Sequence, residues 1–160
     1  MIKEVSGDIL LTSAQTIAHG VGVNDDFKSE LAASLRQLWP SLYKDFRHFC
    51  QSKHPKTGSL WVWQGSEGKR IINLFTQEPA EQKGDHPGPA HLEFVNRALH
   101  DLRQYILEEK VPSIALPKLA TGVGRLKWEE VLPLIKKHLG DVNVPVYVYS
   151  TYHKGQKAQE

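Results

Sequence analysis

Two glycines, Gly122 and Gly124, sit inside "PKLATGVGRLKW" (Pro117 to Trp128), between the apolar run "VPSIAL" and the helical pattern "EEVLPLIKKHLG". A strand, a glycine loop and a helix start in that order point free N–H groups into a concave space. The helix start adds partial positive charge, so the joint suits a phosphate or diphosphate. Glycine lets the backbone approach a ligand closely and adopt positive φ. The same residues also describe a plain turn, and the motif alone does not separate the two.

Carboxylates and amides form the second set. In "HGVGVNDDF" (His19 to Phe27), Asn24 can hold a ribose hydroxyl, and Asp25 or Asp26 can orient or deprotonate a water. One of Asn24, Asp25 and Asp26 is also a natural cap for the helix that follows. In "GDIL" (Gly7 to Leu10), Asp8 either accepts a hydrogen bond from the amino group of a base or closes the preceding strand as an Asx-turn. Gln77 and Glu78 end an apolar run, which makes Glu78 a second acid–base group or an exposed loop residue. His48, Cys50 and His54 in "HFCQSKH" lack the fourth ligand and the paired spacing of a zinc site, so no metal is expected. Trp39, Trp61, Trp63 and Trp128 fall at element ends or on a strand and read as packing rather than a base-stacking platform. Neither a Gly-x-Ser-x-Gly elbow nor a Walker loop is present.

The elements that must position these residues follow from hydrophobic period. Ile2 to Val5 and Thr16 to Val21 read as strands. Phe27, Leu31, Leu35 and Leu38 then line one face of a helix that Pro40 breaks. A second short helix carries Leu42, Phe46 and Phe49. Ser59 to Gln64 and Lys69 to Gln77 pair through "GSEG". A longer helix holds Leu92, Val95, Leu99, Leu102 and Ile106 in register, then "VPSIALPKL" is a strand. The next helix buries Val131, Leu132, Ile135 and Leu139. Glu129 and Glu130 at its start and Lys136, Lys137 and His138 at its end suit the helix dipole, with Gly140 as the stop. Alternating valines from Val142 to Val148 predict a last strand, and Pro145 places an edge or a bulge there. This order gives an α/β chain with a mixed sheet between helices. Ligands of such sheets gather at the carboxyl ends of strands, where Gly20–Phe27, Phe75–Pro79 and Leu119–Arg125 should meet.

A chain of 160 residues is read as one domain over 1–152, followed by a mildly basic, frayed tail over 153–160. The segment Gln77 to His91, with three prolines and two glycines, is expected to be a long, loose loop. A net charge of +2 is too small for nucleic-acid binding by bulk attraction. No run is long and apolar enough to span a membrane, and the N-terminus lacks a signal-peptide pattern. A single cysteine, Cys50, fits a reducing, cytoplasmic setting. A monomer without cofactor is expected.

Together these pieces resemble a macrodomain, the three-layer α/β/α fold that binds ADP-ribose. "VSGDIL" is similar to the family's Gly-Asp-Ile/Leu after the first strand. "TIAHGV" with the following loop and "SELAASLRQLWPSLYKDF" resembles the first binding loop and the helix behind it. "SIALPKLATGVGRLKWEEV" resembles the second, phosphate-binding loop. The similarity covers about residues 1 to 150, and points in particular to the branch of the terminal ADP-ribose protein glycohydrolase, the chromatin-remodeller macrodomain and the DNA-reversing antitoxin macrodomains.

The resemblance implies roles residue by residue. Asp8, with the Ile9 amide nearby, takes the adenine amino group, and Tyr149, after the last strand, packs near the adenine. Thr121, Gly122, Val123 and Gly124 cradle the diphosphate, flanked by Arg125. Gly20, Val21, Gly22 and the residues through Asp25 border the distal ribose, with Phe27, Thr76 and Gln77 completing the binding set. Three departures from the family pattern stand out. Lys28, Ser29 and Glu30 replace a Gly-x-Gly run before the first helix. Gln77 stands where the terminal glycohydrolase branch has a lysine, and Gly124 where it has an aspartate. A lysine adduct is therefore not expected. The implied activity is an ADP-ribosyl hydrolase that releases ADP-ribose from modified protein or nucleic acid. Water would attack the distal ribose, with Asn24 and Asp25 as its catalytic pair. The alternatives are an ADP-ribose reader without turnover and a binder of another nucleotide or an RNA end.

Overall fold

The computed structural model describes residues 1–82 and 85–160. Six strands form one sheet: β1 (Ile2–Gly7), β2 (Thr16–Gly22), β3 (Leu60–Gln64), β4 (Arg70–Gln77), β5 (Ile114–Pro117) and β6 (Val146–Tyr152). Their spatial order is β1-β6-β5-β2-β4-β3. All neighbours are parallel except β3 and β4, which form an antiparallel hairpin through the "GSEG" turn. β4 is buried along nearly its whole length, as a strand covered on both faces must be.

Four helices supply the covers. α1 (Glu30–Leu38) and α2 (Pro40–Lys53) pack on one face, with Leu35, Leu42, Phe46 and Cys50 against Ile17, Ile71 and Phe75. α3 (Leu92–Glu108) and α4 (Trp128–Leu139) pack on the other, with Val95, Leu99, Leu102 and Ile135 against Ile72, Leu116 and Val148. The result is the expected three-layer α/β/α arrangement with a mixed sheet. The four tryptophans serve packing: Trp61 lies between Phe46 and Phe49, and Trp39 faces Trp63.

Several local expectations change. The first helix starts at Glu30, so Phe27 lies before it. None of Asn24, Asp25 and Asp26 caps it, because the N-cap is Ser29. Asn24, Phe27 and Glu30 all have positive φ (63°, 52° and 54°), which keeps residues 24–29 out of helix. α2 is not short. Pro40 at its first turn starts it and it runs 14 residues, because proline is tolerated where the N–H has no intrahelical partner. The last strand begins only at Val146. Pro145 lies outside the ladder, its carbonyl accepting from Ile114 N, and β6 sits inside the sheet between β1 and β5 rather than at an edge. Tyr149 accordingly belongs to β6 instead of following it.

The tail is not frayed. Asp8 N donates to Gln156 O (2.7 Å), Gly155 N donates to Asp8 Oδ2 (2.9 Å), and Ala158 is buried. The Glu160 carboxylate accepts from Ser13 N and Oγ, from Thr12 Oγ1 and from Tyr149 OH. Nor is the segment 77–91 loose where it is described, although Lys83 and Gly84 lie outside the described residues. Ala80 N donates to Val23 O, Glu78 N to Pro89 O, and Ala90 N to Gly124 O. The segment is thus tied to both glycine loops at the carboxyl edge of the sheet.

Candidate functional site

At that edge the ends of β1, β2, β5 and β6 diverge around a cavity of about 480 Å³. This volume lies within the usual range for small-molecule sites. Asp8, Ile9 and Tyr149 line one end and Thr121 to Gly124 one side, while Gly20, Asp25 and Gln77 are among the remaining wall residues. Three loops far apart in sequence therefore converge as the α/β order requires. Val21, Gly22, Asn24, Phe27, Thr76 and Arg125 do not form part of the wall. Phe27 is instead a core residue, buried among His19, Tyr43 and Phe46. Thr76 is fully buried behind Gly20. Its hydroxyl finds no partner among the described residues and lies where a Gly20 side chain would be.

Asp8 is buried and does two jobs at once. Oδ1 accepts from Leu10 N (3.1 Å), closing the turn after β1, and Oδ2 accepts from Gly155 N (2.9 Å). The Asx-turn and the cavity-lining position are thus compatible rather than alternatives. Each carboxylate oxygen keeps a second lone pair.

Asp25 organises the first loop. Oδ2 accepts from Gly22 N (3.0 Å) and Oδ1 from Phe27 N (2.9 Å), so its carboxylate folds the chain back on itself. Burial pushes its carboxyl up to about 6, against the opposing pull of those two N–H groups. Asp26 accepts from Lys28 N and pairs with His86 Nδ1 at 2.7 Å, which fastens the 77–91 segment to this loop.

His19 was not singled out by sequence, yet it lines the cavity. Asn73 Nδ2 donates to Trp61 O (3.2 Å), which turns Asn73 Oδ1 toward His19 Nε2 at 2.7 Å. His19 is therefore the Nε2–H tautomer. Burial lowers it to about 4, the Asn73 contact opposing, so the ring is neutral at pH 7.

The departures from the family pattern have structural counterparts. Gln77 Nε2 donates to Gly88 O (3.0 Å), so this side chain is spent on the 77–91 segment. A Cβ at Gly124 would lie 2.5 Å from Ala120 O and 2.9 Å from Ala90 Cβ, so this loop conformation admits no side chain there, aspartate included. Glu30 is the residue that sequence reasoning noticed only as a replaced glycine. Its carboxylate reaches across the cavity mouth, and Oε1 accepts from Val123 N at 2.7 Å. The left-handed backbone at Glu30 costs roughly 1–3 kcal/mol.

Comparisons with known proteins agree with this geometry. A protein-family model described as "Macro domain" matches residues 14–135. A curated relative from Thermus aquaticus, named a DNA ADP-ribosyl glycohydrolase, is 28% identical over 153 residues, covering 93% of this chain and 41% of that protein. The solved macrodomain of Thermus aquaticus DarG superposes with a TM-score of 0.81 over 94% of this chain and 98% of its own, at 28% identity. Thermosipho africanus DarTG, solved in complex with ADP-ribose, shares the fold at a TM-score of 0.81 and 19% identity, over 98% of this chain and 42% of that one. The chain thus spans about two fifths of the length of the curated DNA ADP-ribosyl glycohydrolases it matches.

Proposed function

The chain belongs to the Macro domain family, and from that premise we propose that its cavity binds ADP-ribose and that the domain hydrolyses an ADP-ribosyl bond on a modified protein or nucleic acid. The observation that carries the reading is the single cavity joining Asp8 and Tyr149 at one end to the Thr121–Gly124 loop and Asp25 further along. An adenine-sized group fits against Asp8, whose free lone pairs accept from an amino group. A diphosphate fits against the loop N–H groups and the start of α1. The distal ribose then lies toward Gly20 and Asp25.

In the reaction, a water oxygen bonds to the anomeric carbon of that ribose while the bond to the modified group breaks. Asp25, ionised above about pH 6, takes the proton from the water. The leaving group takes a proton from solvent. Asn24 acts by setting the loop turn beside Asp25, since its side chain is outside the wall. Neutral His19 offers Nδ1 as a further acceptor for a ribose hydroxyl. Fixing the substrate at adenine and diphosphate supplies much of the rate through positioning. The name carried by the Thermus aquaticus relative favours the glycohydrolase reading. On this reading the domain acts as a cytoplasmic monomer, in keeping with its lone, buried Cys50.

Two observations favour a second reading, an ADP-ribose reader without turnover. Gln77 replaces the lysine of the terminal glycohydrolase branch and is tied to Gly88, and Gly124 has no room for the aspartate. Calorimetric titration with ADP-ribose, followed by incubation with glutamate-, serine- and DNA-base-linked ADP-ribose, separates the two. Binding with release of ADP-ribose from any linkage supports the hydrolase. Binding without release leaves the reader, and no binding at millimolar ligand removes both.

A further inference from the structure

Glu30 is an acidic residue in a place built for an anion. Its Oε1 accepts from Val123 N at 2.7 Å, in the loop whose N–H groups form the proposed diphosphate cradle. A Cβ on Gly122 would collide with this same carboxylate, so the carboxylate lies directly on the glycine face that a phosphate would approach. No ion pair among the described residues involves Glu30. Among the described residues, the one hydrogen bond of its carboxylate is to the loop amide. To reach it, Glu30 holds φ at 54°, a conformation that glycine adopts freely and glutamate does not. Strain held at a ligand-facing position, for a contact that bridges two loops, is a sign of a function at that position.

We infer that the Glu30 carboxylate is an internal stand-in for the ligand's phosphate and sets the specificity of the cradle. An incoming anion must take Val123 N from it and must accept or displace a fixed negative charge. A free anion with no other anchor competes poorly. A ligand also anchored at the Asp8 and Tyr149 end has binding energy to spare for moving Glu30 aside. The site thereby selects a nucleoside diphosphate over an unattached diphosphate. This rests on the reading of the Gly122 loop as a diphosphate cradle.

Inorganic pyrophosphate tests it directly, by calorimetry at fixed ionic strength on the native chain, Glu30→Gly and Glu30→Gln. Glu30→Gly removes the carboxylate and relieves the backbone, while Glu30→Gln keeps the shape without the charge. The expected result is pyrophosphate binding at least about tenfold tighter in Glu30→Gly than in the native chain, with Glu30→Gln between them. Equal or weaker pyrophosphate binding in both variants overturns the inference. ADP-ribose, titrated in parallel, distinguishes the two levels. If no form binds ADP-ribose but Glu30→Gly gains pyrophosphate, the functional reading falls and the role of Glu30 stands. If the native chain binds ADP-ribose and neither variant gains pyrophosphate, the functional reading stands and the role of Glu30 falls.

Discussion

Asp25 carries the heaviest chemical expectation of any single residue, and its burial makes that expectation measurable. Its carboxyl is pushed up to about 6 because the buried loop disfavours the charge more than the Gly22 and Phe27 amides restore it. If Asp25 takes the proton from water, turnover rises with pH through about 6 and then levels, and Asp25→Asn abolishes both the activity and that rising limb. A rate profile from pH 4.5 to 8 checks this, and full activity in Asp25→Asn would refute it. Stability must move in the opposite sense. Between an unfolded value near 3.8 and the folded value near 6, the native state binds more protons than the unfolded chain, so stability falls as pH rises through that window. About two pK units correspond to roughly 3 kcal/mol. Urea midpoints at pH 4 and pH 7 should show the decline in the native chain and a much smaller one in Asp25→Asn. The sequence disclosed Asp25 as a carboxylate beside a strand end, but not that both its oxygens would be engaged by backbone. That depends on the turn made by Asn24 and Phe27 at positive φ, which asparagine favours but phenylalanine does not announce.

At the scale of elements, the site is three loops held against one another, and their contacts are as specific as those to any ligand. The 77–91 segment crosses between the glycine loops: Pro87 packs on Gly22, Ala80 N reaches Val23 O, and Ala90 N reaches Gly124 O. Its composition suggested looseness because proline and glycine are read locally, whereas the bonds that fasten it to the glycine loops are to residues about 35 to 60 positions away. The hairpin, α3, α4 and the second glycine loop were legible because period and turn chemistry are local signals. The start of α1 was misread for the complementary reason: Phe27 satisfies the helical spacing, but it is buried in an aromatic cluster from a loop. Gly22 tests the packing between loops. A Cβ there would stand 2.5 Å from Pro87 Cβ and 2.8 Å from Glu78 O. Gly22→Ala should therefore cost about 1–3 kcal/mol, the usual penalty for overpacking a fitted contact. The loss should appear as a lower melting temperature. It should also appear as faster amide exchange in residues 22–27 and 78–80, while β1 and β6 keep their protection. Uniformly unchanged exchange would mean that the segment does not bear on the first loop.

For the whole molecule, the informative feature is that the chain closes on itself at the adenine end of the cavity. β1 and β6 are parallel neighbours, so the residues after Tyr152 emerge beside the turn after Gly7. Sheet order is what brings them there, and sequence gave no hint of it because "HKGQKAQE" has no apolar period. Once there, the tail enters the core only through Ala158 and is otherwise held by polar contacts. Asp8 exchanges bonds with Gly155 and Gln156, and Glu160 collects donors from Thr12, Ser13 and Tyr149. Burial raises Glu160, but those hydrogen bonds outweigh it, so its carboxyl ends below the ordinary glutamate value. This part of the tail's anchorage is complete above the unfolded glutamate pKa and is lost as pH falls through the lowered folded one. The anchorage reaches the cavity because Asp8 and Tyr149 both line it. Gly155 isolates the effect, since it holds φ at 75° and a Cβ there meets nothing within 4 Å. Gly155→Ala thus adds backbone strain without a collision, about 1–2 kcal/mol by the left-handed cost for a residue with a side chain. Two outcomes of that strain are possible. The tail lifts locally, and Asp8 Oδ2 loses the Gly155 N–H, or the whole domain loses stability with the tail in place. Because the tail's own residues are exposed apart from Ala158 and Glu160, and a few hydrogen bonds supply most of its anchorage, local release is the cheaper response. Gly155→Ala should therefore leave the urea midpoint almost unchanged, speed amide exchange at Asp8 and Gln156, and alter ADP-ribose affinity. Exchange at those two amides matching the native chain, with a clear drop in the urea midpoint, would show instead that the tail and the sheet unfold as one unit.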